Sequence, residues 1–80
     1  MKLTLENTDK LVTLVVNGHD IPARIWQGTT EGGIEVHCFI TRVAVAEGQA
    51  DSVYLEFANE LREVATARPD VKYIPARLIL

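Results

Sequence analysis

The stretch VVNGHD, residues 15–20, sets the fold of the first half of this chain. Asn17-Gly18 is typical of a two-residue type I′ turn, because both central residues of that turn need positive φ. It predicts a β-hairpin whose innermost pair is Val16 with His19. The next apolar pairs are Leu14–Ile21 and Val12–Ala23. These pairs send apolar side chains to one face. The opposite face carries Leu11, Thr13, Val15, Asp20, Pro22 and Arg24.

Four segments of the first half alternate apolar and polar residues as β-strands do. They are LTLE (3–6), KLVTLVV (10–16), IPARIWQ (21–27) and IEVHCFITRVAV (34–45). The turn-forming stretches NTD, NG and TTEGG separate them. A break in the alternation at Thr41 and Arg42 predicts a bulge or a bend there.

The turn in TTEGG (29–33) is centred either on Glu31-Gly32 or on Gly32-Gly33. Both are two-residue turns, so both predict the same distribution of side chains between the faces. One face carries Ile21, Ala23, Ile25, Ile34, Val36, Cys38 and Ile40. The other face carries Arg24, Trp26, His37, Phe39 and Thr41.

After AEGQADS (46–52) the apolar positions fall at steps of three and four, which is the period of an amphipathic helix. They are Tyr54, Phe57, Ala58, Leu61, Val64 and Ala65. We expect a helix over 52–67, capped by Asp51 or Ser52 and ended before Pro69. The last segment, VKYIPARLIL (71–80), alternates again and repeats the IPAR of residues 21–24 at 74–77. Both copies place Ile and Ala inside and Pro and Arg outside.

The order of these elements predicts a two-layer α+β fold with the order ββββαβ. We expect a mostly antiparallel sheet of four to five strands with one amphipathic helix packed on one face. Eighty residues are enough for one small domain, residues 1–80. The place of the last strand in the sheet stays open.

Composition and charge favour a folded cytoplasmic protein. Apolar residues make up 48% and charged residues 24% of the chain, and the net charge of -3 gives no reason to expect binding to nucleic acid or to a membrane. Cys38 is the only cysteine, so no intrachain disulfide forms and a reducing compartment fits best. The segment MKLTLENTDK has no export-signal core, and no apolar run reaches the roughly 20 residues that span a bilayer.

The sequence carries no catalytic or metal-binding signature. His37 and Cys38 are adjacent on a strand, so their side chains point to opposite faces and do not form a nucleophile–base pair or share a metal. The pair His19-Asp20 lacks a third ligand. The acidic residues Glu56, Glu60 and Glu63 are interpreted as a solvated helix face, and a cation site or an acidic patch for a basic partner stays open as the alternative. We therefore expect no catalytic residue, no cofactor, no metal and no enzymatic activity.

A single helix covers one face of a sheet, so the other face is available to a partner. The predicted partner-binding residues on it are Arg24, Trp26, His37, Phe39, Thr41 and Arg77. Aromatic and arginine side chains dominate the energetics of protein interfaces, which predicts a protein partner. Three alternatives stay open: cross-strand pairs that only stabilise the sheet, a homodimer through the same face, and a single-stranded nucleic-acid platform. Eight Lys and Arg against eleven Asp and Glu argue against the last.

Residues 16–45, VNGHDIPARIWQGTTEGGIEVHCFITRVAV, resemble small proteins of unassigned function that phages and integrative elements of bacteria carry. The resemblance implies a small, stable cytoplasmic protein that binds and blocks host machinery, a class that includes inhibitors of CRISPR effector complexes. It transfers no catalytic residue. The resulting hypothesis is a non-enzymatic protein-binding module that acts as an anti-CRISPR-like inhibitor of a bacterial defence complex.

Overall fold

The structure, a computed structural model, describes residues 1–69 and residue 79. Within these residues it contains an antiparallel sheet of three strands in the order β1-β2-β3, followed by one helix. The elements are β1 (Leu3–Val16), β2 (His19–Thr30), β3 (Glu35–Ile40) and α1 (Asp51–Arg62). The α+β class is as predicted, whereas a sheet of four to five strands in the order ββββαβ is not confirmed. The strand predicted at 71–80, with Pro75 and Arg77, lies outside the described residues except for Ile79.

The β1–β2 hairpin confirms the register that the Asn17-Gly18 turn predicts. Asn17 and Gly18 have φ of 51° and 77°, the positive values that a type I′ turn requires. The pairs are Val16–His19, Leu14–Ile21 and Val12–Ala23. This end of the sheet therefore follows from local turn chemistry.

The segments LTLE and KLVTLVV form the single strand β1, and NTD between them is not a turn. The pairs on either side of NTD are Asn7–Trp26 and Leu11–Arg24. Residues 8–10 thus lie opposite Ile25 alone, which is a β-bulge with two extra residues on β1. An even number of extra residues preserves the alternation of faces along the strand.

The turn between β2 and β3 corrects the predicted faces. It has three loop residues, 31–33: the Gly33 amide donates to the Thr30 carbonyl at 3.0 Å, and the Thr30 amide donates to the Ile34 carbonyl at 3.0 Å. Gly33 has φ of 83°, as the last residue of such a loop requires. The prediction assumed two loop residues, and an odd number exchanges the faces of β3. Phe39 pairs with Ile25, His37 with Gln27, Cys38 with Trp26 and Ile40 with Arg24.

The helix α1 (Asp51–Arg62) is shorter than the predicted 52–67. Its N-cap residue is Ala50, so neither Asp51 nor Ser52 caps it and no side chain bonds to the free amides of the first turn. At the other end, Glu63 has φ of -82° and ψ of 107°, which is extended backbone. The chain leaves the helix early because the residues that follow bind the edge of β1.

The C-terminal end of the helix lies on the other side of the sheet from that predicted. The Leu61 carbonyl accepts a hydrogen bond from Asn7 Nδ2 at 3.0 Å, and Asn7 shares a face with its partner Trp26. The C-terminal end of α1 therefore lies on the Trp26 side of the sheet, not over Ala23 and Ile25. No residue of Asp51–Arg62, all of which the structure describes, is buried.

Pro22 lies in β2, the central strand of the described sheet. It pairs with Thr13 on β1, while the pairing with β3 ends at Arg24–Ile40. The edge of β2 at Pro22 is therefore beyond the reach of β3. Proline lacks an amide hydrogen, and at this position its absence removes no hydrogen bond between β2 and β3.

The most buried residues of the described part form a small mixed core. The buried apolar side chains are Ala23 and Ile25, 4% and 1% exposed. Asn7, Thr8 and Gln27 are buried polar residues, and Thr8 is 0% exposed. Their polarity requires hydrogen-bond partners, because an unsatisfied buried polar group costs about 1–3 kcal/mol. No helix within the described residues is long and apolar enough to cross a membrane.

Candidate functional site

Residues 63–68, here called the strap, cross the outer edge of β1 at its bulge. The Ala65 amide donates to the Asn7 carbonyl at 3.0 Å, and the Asp9 amide donates to the Ala65 carbonyl at 2.9 Å. Thr8 and Ala65 thereby form an isolated parallel β-bridge. The bulge turns backbone groups of β1 outward, and the strap satisfies two of them.

Gln27 holds the strap on the Ile25 side of the sheet. Its Nε2 donates to Glu6 Oε1 at 3.0 Å and to the Thr66 carbonyl at 3.3 Å, and its Oε1 accepts the Arg68 amide at 2.9 Å. Gln27 is 6% exposed, so these bonds replace the water that its amide loses on burial. Asp9 Oδ1 adds a fourth contact by accepting the Ala67 amide at 3.0 Å. We call this group of bonds the latch.

The end of the strap reaches β3. Arg68 Nη2 donates to the Val36 carbonyl at 3.2 Å, and Arg68 Nη1 lies 3.4 Å from Glu35 Oε1. The chain thus leaves α1 on the Trp26 side, passes around the β1 edge and finishes on the Gln27 side. This path fixes the position of the last turn of the helix relative to the sheet.

An open groove of about 450 Å³, here called the Trp26 groove, lies between the last turn of α1, the sheet and the residues after β3. It is lined by Asn7, Arg24, Trp26, Ile40, Thr41, Arg42, Val43 and Leu61. Trp26 is half-buried, Arg42 is exposed, and Val43 is 41% exposed. The groove combines one large aromatic ring, three aliphatic side chains and two guanidinium groups, all within reach of solvent.

Arg24 is held in position at the groove. Its Nη1 donates to the Thr8 carbonyl in the bulge at 2.7 Å. Thr8 is itself fixed, because its Oγ1 donates to the Ile25 carbonyl at 2.6 Å and accepts the Lys10 amide at 3.2 Å. A guanidinium group has five N–H donors, and this bond uses one of them. The bulge therefore orients Arg24 and leaves it further donors.

The predicted partner-binding residues do not share one face. Arg24, Trp26 and Thr41 lie together in the Trp26 groove. His37 and Phe39 lie on the opposite face, because the three-residue turn exchanges the faces of β3. Arg77 lies outside the described residues.

The sequence did not predict the contributions of Arg42, Val43 and Leu61 to the groove. Arg42 was visible only as an interruption of the alternation on the way out of β3. The latch was also missed, although Gln27 offered a signal. Gln27 lies two residues after Ile25, so the alternation places both side chains on the same, core-facing side of β2. A polar residue at a core position needs a hydrogen-bond partner.

Gly28 brings β1 and β2 unusually close beside the latch. A Cβ at Gly28 would overlap the Thr4 carbonyl oxygen, and it would lie 2.8 Å from the Thr4 carbonyl carbon and 2.9 Å from the Leu5 Cα. Real Cβ atoms do not approach backbone so closely, so any side chain at this position forces the strands apart. The requirement for glycine here is steric.

Within residues 1–69 and 79, no three His, Cys, Asp or Glu side chains lie close enough together to hold a metal ion. Comparisons with models of protein families, with curated proteins and with solved structures found no match. The Trp26 groove and its surroundings are therefore the candidate functional site.

Proposed function

We propose that this chain is a non-enzymatic protein-binding module that binds its partner in the Trp26 groove. The observation that carries the proposal is that Trp26, Arg24 and Arg42 line one groove that is open to solvent. Tryptophan and arginine are the residue types that contribute most often to binding hot spots. A groove of about 450 Å³ suits the insertion of one or two side chains of a partner.

The apolar surface extends beyond the groove along β1. Leu11 lies opposite Arg24 on the same face, and Val15 follows on that face four residues further on. Leu11 is 62% exposed and Val15 is 71% exposed. Exposed aliphatic side chains next to an aromatic and arginine centre add contact area to an interface.

The resemblance of residues 16–45 to proteins of phages and integrative elements suggests which partners to test first. On that basis the proposed partner is a subunit of a bacterial defence complex, and the module acts as an inhibitor by occupying a surface that the complex needs. A module of 80 residues blocks a surface without chemistry of its own.

A comparison of three baits in a bacterial lysate tests the proposal. The baits are the wild type, Arg42→Glu and Lys2→Glu, each tagged, with captured proteins quantified by mass spectrometry. Arg42 lines the groove, whereas Lys2 lies beyond Thr30 at the far end of the sheet, six residues from Arg24 along β2 and roughly 20 Å away. Both substitutions reverse one exposed charge, so Lys2→Glu is a matched control.

If the proposal is correct, the wild type and Lys2→Glu both capture a protein that Arg42→Glu does not capture. Equal capture by all three baits, with circular-dichroism spectra that show all three folded, rules out the groove as the binding site. Reconstituted defence complexes then show whether the captured partner is inhibited.

A homodimer is the second candidate, and the exposure of Leu11 and Val15 favours it. A two-fold pairing of the groove side of two copies would bury both residues in each chain. It predicts a sedimentation mass near twice 8.9 kDa for the wild type and a mass near 8.9 kDa for Val15→Glu. A wild type that stays monomeric at all concentrations excludes the homodimer.

A further inference from the structure

We infer that the Trp26 groove binds an acidic protein segment that places an apolar side chain against Trp26. This inference rests on the proposed function and adds the chemistry of the partner. It follows from the charge of the groove, the fixation of Arg24 and the nature of the apolar lining.

The charge of the groove is opposite to that of the chain. The chain has a net charge of -3, with eleven Asp and Glu. The eight described lining residues of the groove nevertheless include Arg24 and Arg42 and no acidic side chain. A carboxylate bound there is attracted by both guanidinium groups, while a basic segment is repelled by them and gains nothing from a local acidic residue.

Arg24 and Arg42 have different roles in this recognition. The bond from Arg24 to the Thr8 carbonyl, at 2.7 Å, restricts the side chain before any ligand arrives. A carboxylate that binds Arg24 therefore costs less side-chain entropy than one that must order a mobile arginine. Arg42 is exposed, so we expect it to accelerate association more than it slows dissociation.

The apolar part of the lining favours a partner segment that carries an apolar side chain between its carboxylates. Ile40, Val43 and Leu61 line the groove together with Trp26, and none of the three is fully buried. An aliphatic or aromatic side chain of a partner removes this apolar surface from water, which favours binding. The sequence of such a segment combines Asp or Glu with Leu, Ile or Phe.

A protein segment fits these residues better than a nucleic acid does. Stacking of successive bases needs several aromatic rings, and Trp26 is the only ring among the described lining residues. The other described lining residues are three aliphatic side chains, the two arginines, Asn7 and Thr41. The net charge of -3 also repels a phosphate backbone that continues past the groove.

Trp26 provides a direct measurement of binding, because it is the only tryptophan of the chain. The probes are short tryptophan-free peptides selected from a random display library on the intact protein. Each is compared with a counterpart in which Asn and Gln replace Asp and Glu, and with a single-stranded oligothymidylate. Titrations follow Trp26 emission in the wild type, in Arg42→Glu and in the matched control Lys2→Glu.

We expect the selected peptides to be enriched in Asp and Glu next to Leu, Ile or Phe. Removal of their charges should weaken binding about tenfold or more, because the uncharged side chains no longer make charge-assisted hydrogen bonds to the guanidinium groups. Arg42→Glu should weaken binding by a similar factor, and Lys2→Glu should leave it unchanged. The salt dependence of association should decrease in Arg42→Glu.

Three results overturn the inference: no selected peptide that shifts Trp26 emission, selected peptides that are neutral or basic, or an oligothymidylate that binds more tightly than the peptides. The result is separable from that of the proposed function. A lysate partner that depends on Arg42 but contacts the groove through a non-acidic segment removes the inference and keeps the function. Capture that is independent of Arg42 removes the function itself.

Discussion

The two ends of the β1–β2 hairpin are stabilised in different ways. At the turn end, Asn17-Gly18 aligns strands whose Leu11 and Val15 side chains stay largely exposed. At the bulge end, the same two strands contain the buried polar residues Asn7, Thr8 and Gln27 and bind a segment some forty to sixty residues further along the chain. Local sequence therefore determines one end, and distant hydrogen-bond partners determine the other.

The difference shows how a chain with few buried apolar residues in its described part keeps a defined structure. Apolar burial is non-directional, whereas hydrogen bonds of buried groups require particular partners at particular distances. The latch thus selects one path for the strap and one position for the end of α1. We expect the bulge end to be sensitive to single substitutions and the turn end to tolerate them.

The largest expected effect is that of Gly28→Ala, which places a Cβ where the Thr4 carbonyl lies. Separation of the strands should reduce the free energy of unfolding by about 3 kcal/mol or more. The control is Gly18→Ala in the turn, where φ is 77° and no atom lies within 4 Å of the added Cβ. That substitution should cost about 1 kcal/mol. Urea denaturation measures both effects. A larger loss of stability in Gly18→Ala than in Gly28→Ala would contradict the prediction.

Gln27→Met should have the next largest effect, about 2–3 kcal/mol. The methionine fills the space of the glutamine but removes the hydrogen bonds that Gln27 makes with the Arg68 amide and the Thr66 carbonyl. Gln49→Met, in the exposed loop before α1, is the matched control and should change stability by less than about 0.5 kcal/mol. Hydrogen exchange at the Asp9 and Ala65 amides should also accelerate in Gln27→Met alone.

Thr8→Val should destabilise by about 1–2 kcal/mol, since it removes the hydroxyl that donates to the Ile25 carbonyl and keeps the side-chain shape. The same substitution at Thr13, an exposed residue of the turn end, should be close to neutral. Equal losses at the two positions would show that burial at the bulge contributes nothing.

The smallest expected effect is at the ion pair between Lys2 and Glu31. Its atoms are 3.9 Å apart and the side chains are 84% and 69% exposed. Salt screens such pairs, and the side-chain entropy of holding them offsets their attraction. Lys2→Ala should therefore unfold at the same urea concentration as the wild type. A measurable loss of stability in Lys2→Ala would mean that exposed ion pairs contribute more to the stability of this sheet than their exposure predicts.

The sequence predicted the structure well where the residues that determine it are close together along the chain. The Asn17-Gly18 turn fixes its own register. The helical period predicts a helix over 52–67, and the structure forms the shorter helix Asp51–Arg62. The face of β3 was wrong because it depends on whether the loop at Gly32-Gly33 has two residues or three, and alternation alone does not count them.

The candidate site was predictable in part for the same reason. The parity of β2 placed Arg24 and Trp26 together on one face, and the structure brings them into one groove. Arg42 and Leu61 join them through the path of the chain after β3 and after α1, which no local pattern encodes. The strap was missed because its extended geometry comes from bonds to Asn7 and Gln27, not from its own residues.

The distance of the latch along the chain also orders the steps of folding. The bonds from the Arg68 amide to Gln27 and from the Ala67 amide to Asp9 join residues 41 and 58 positions apart. Contacts of such high sequence separation carry a larger loop-closure entropy and form late, whereas the Asn17-Gly18 hairpin closes on the microsecond scale. In stopped-flow experiments, Gln27→Met should speed unfolding and leave refolding nearly unchanged, and Gly18→Ala should mainly slow refolding.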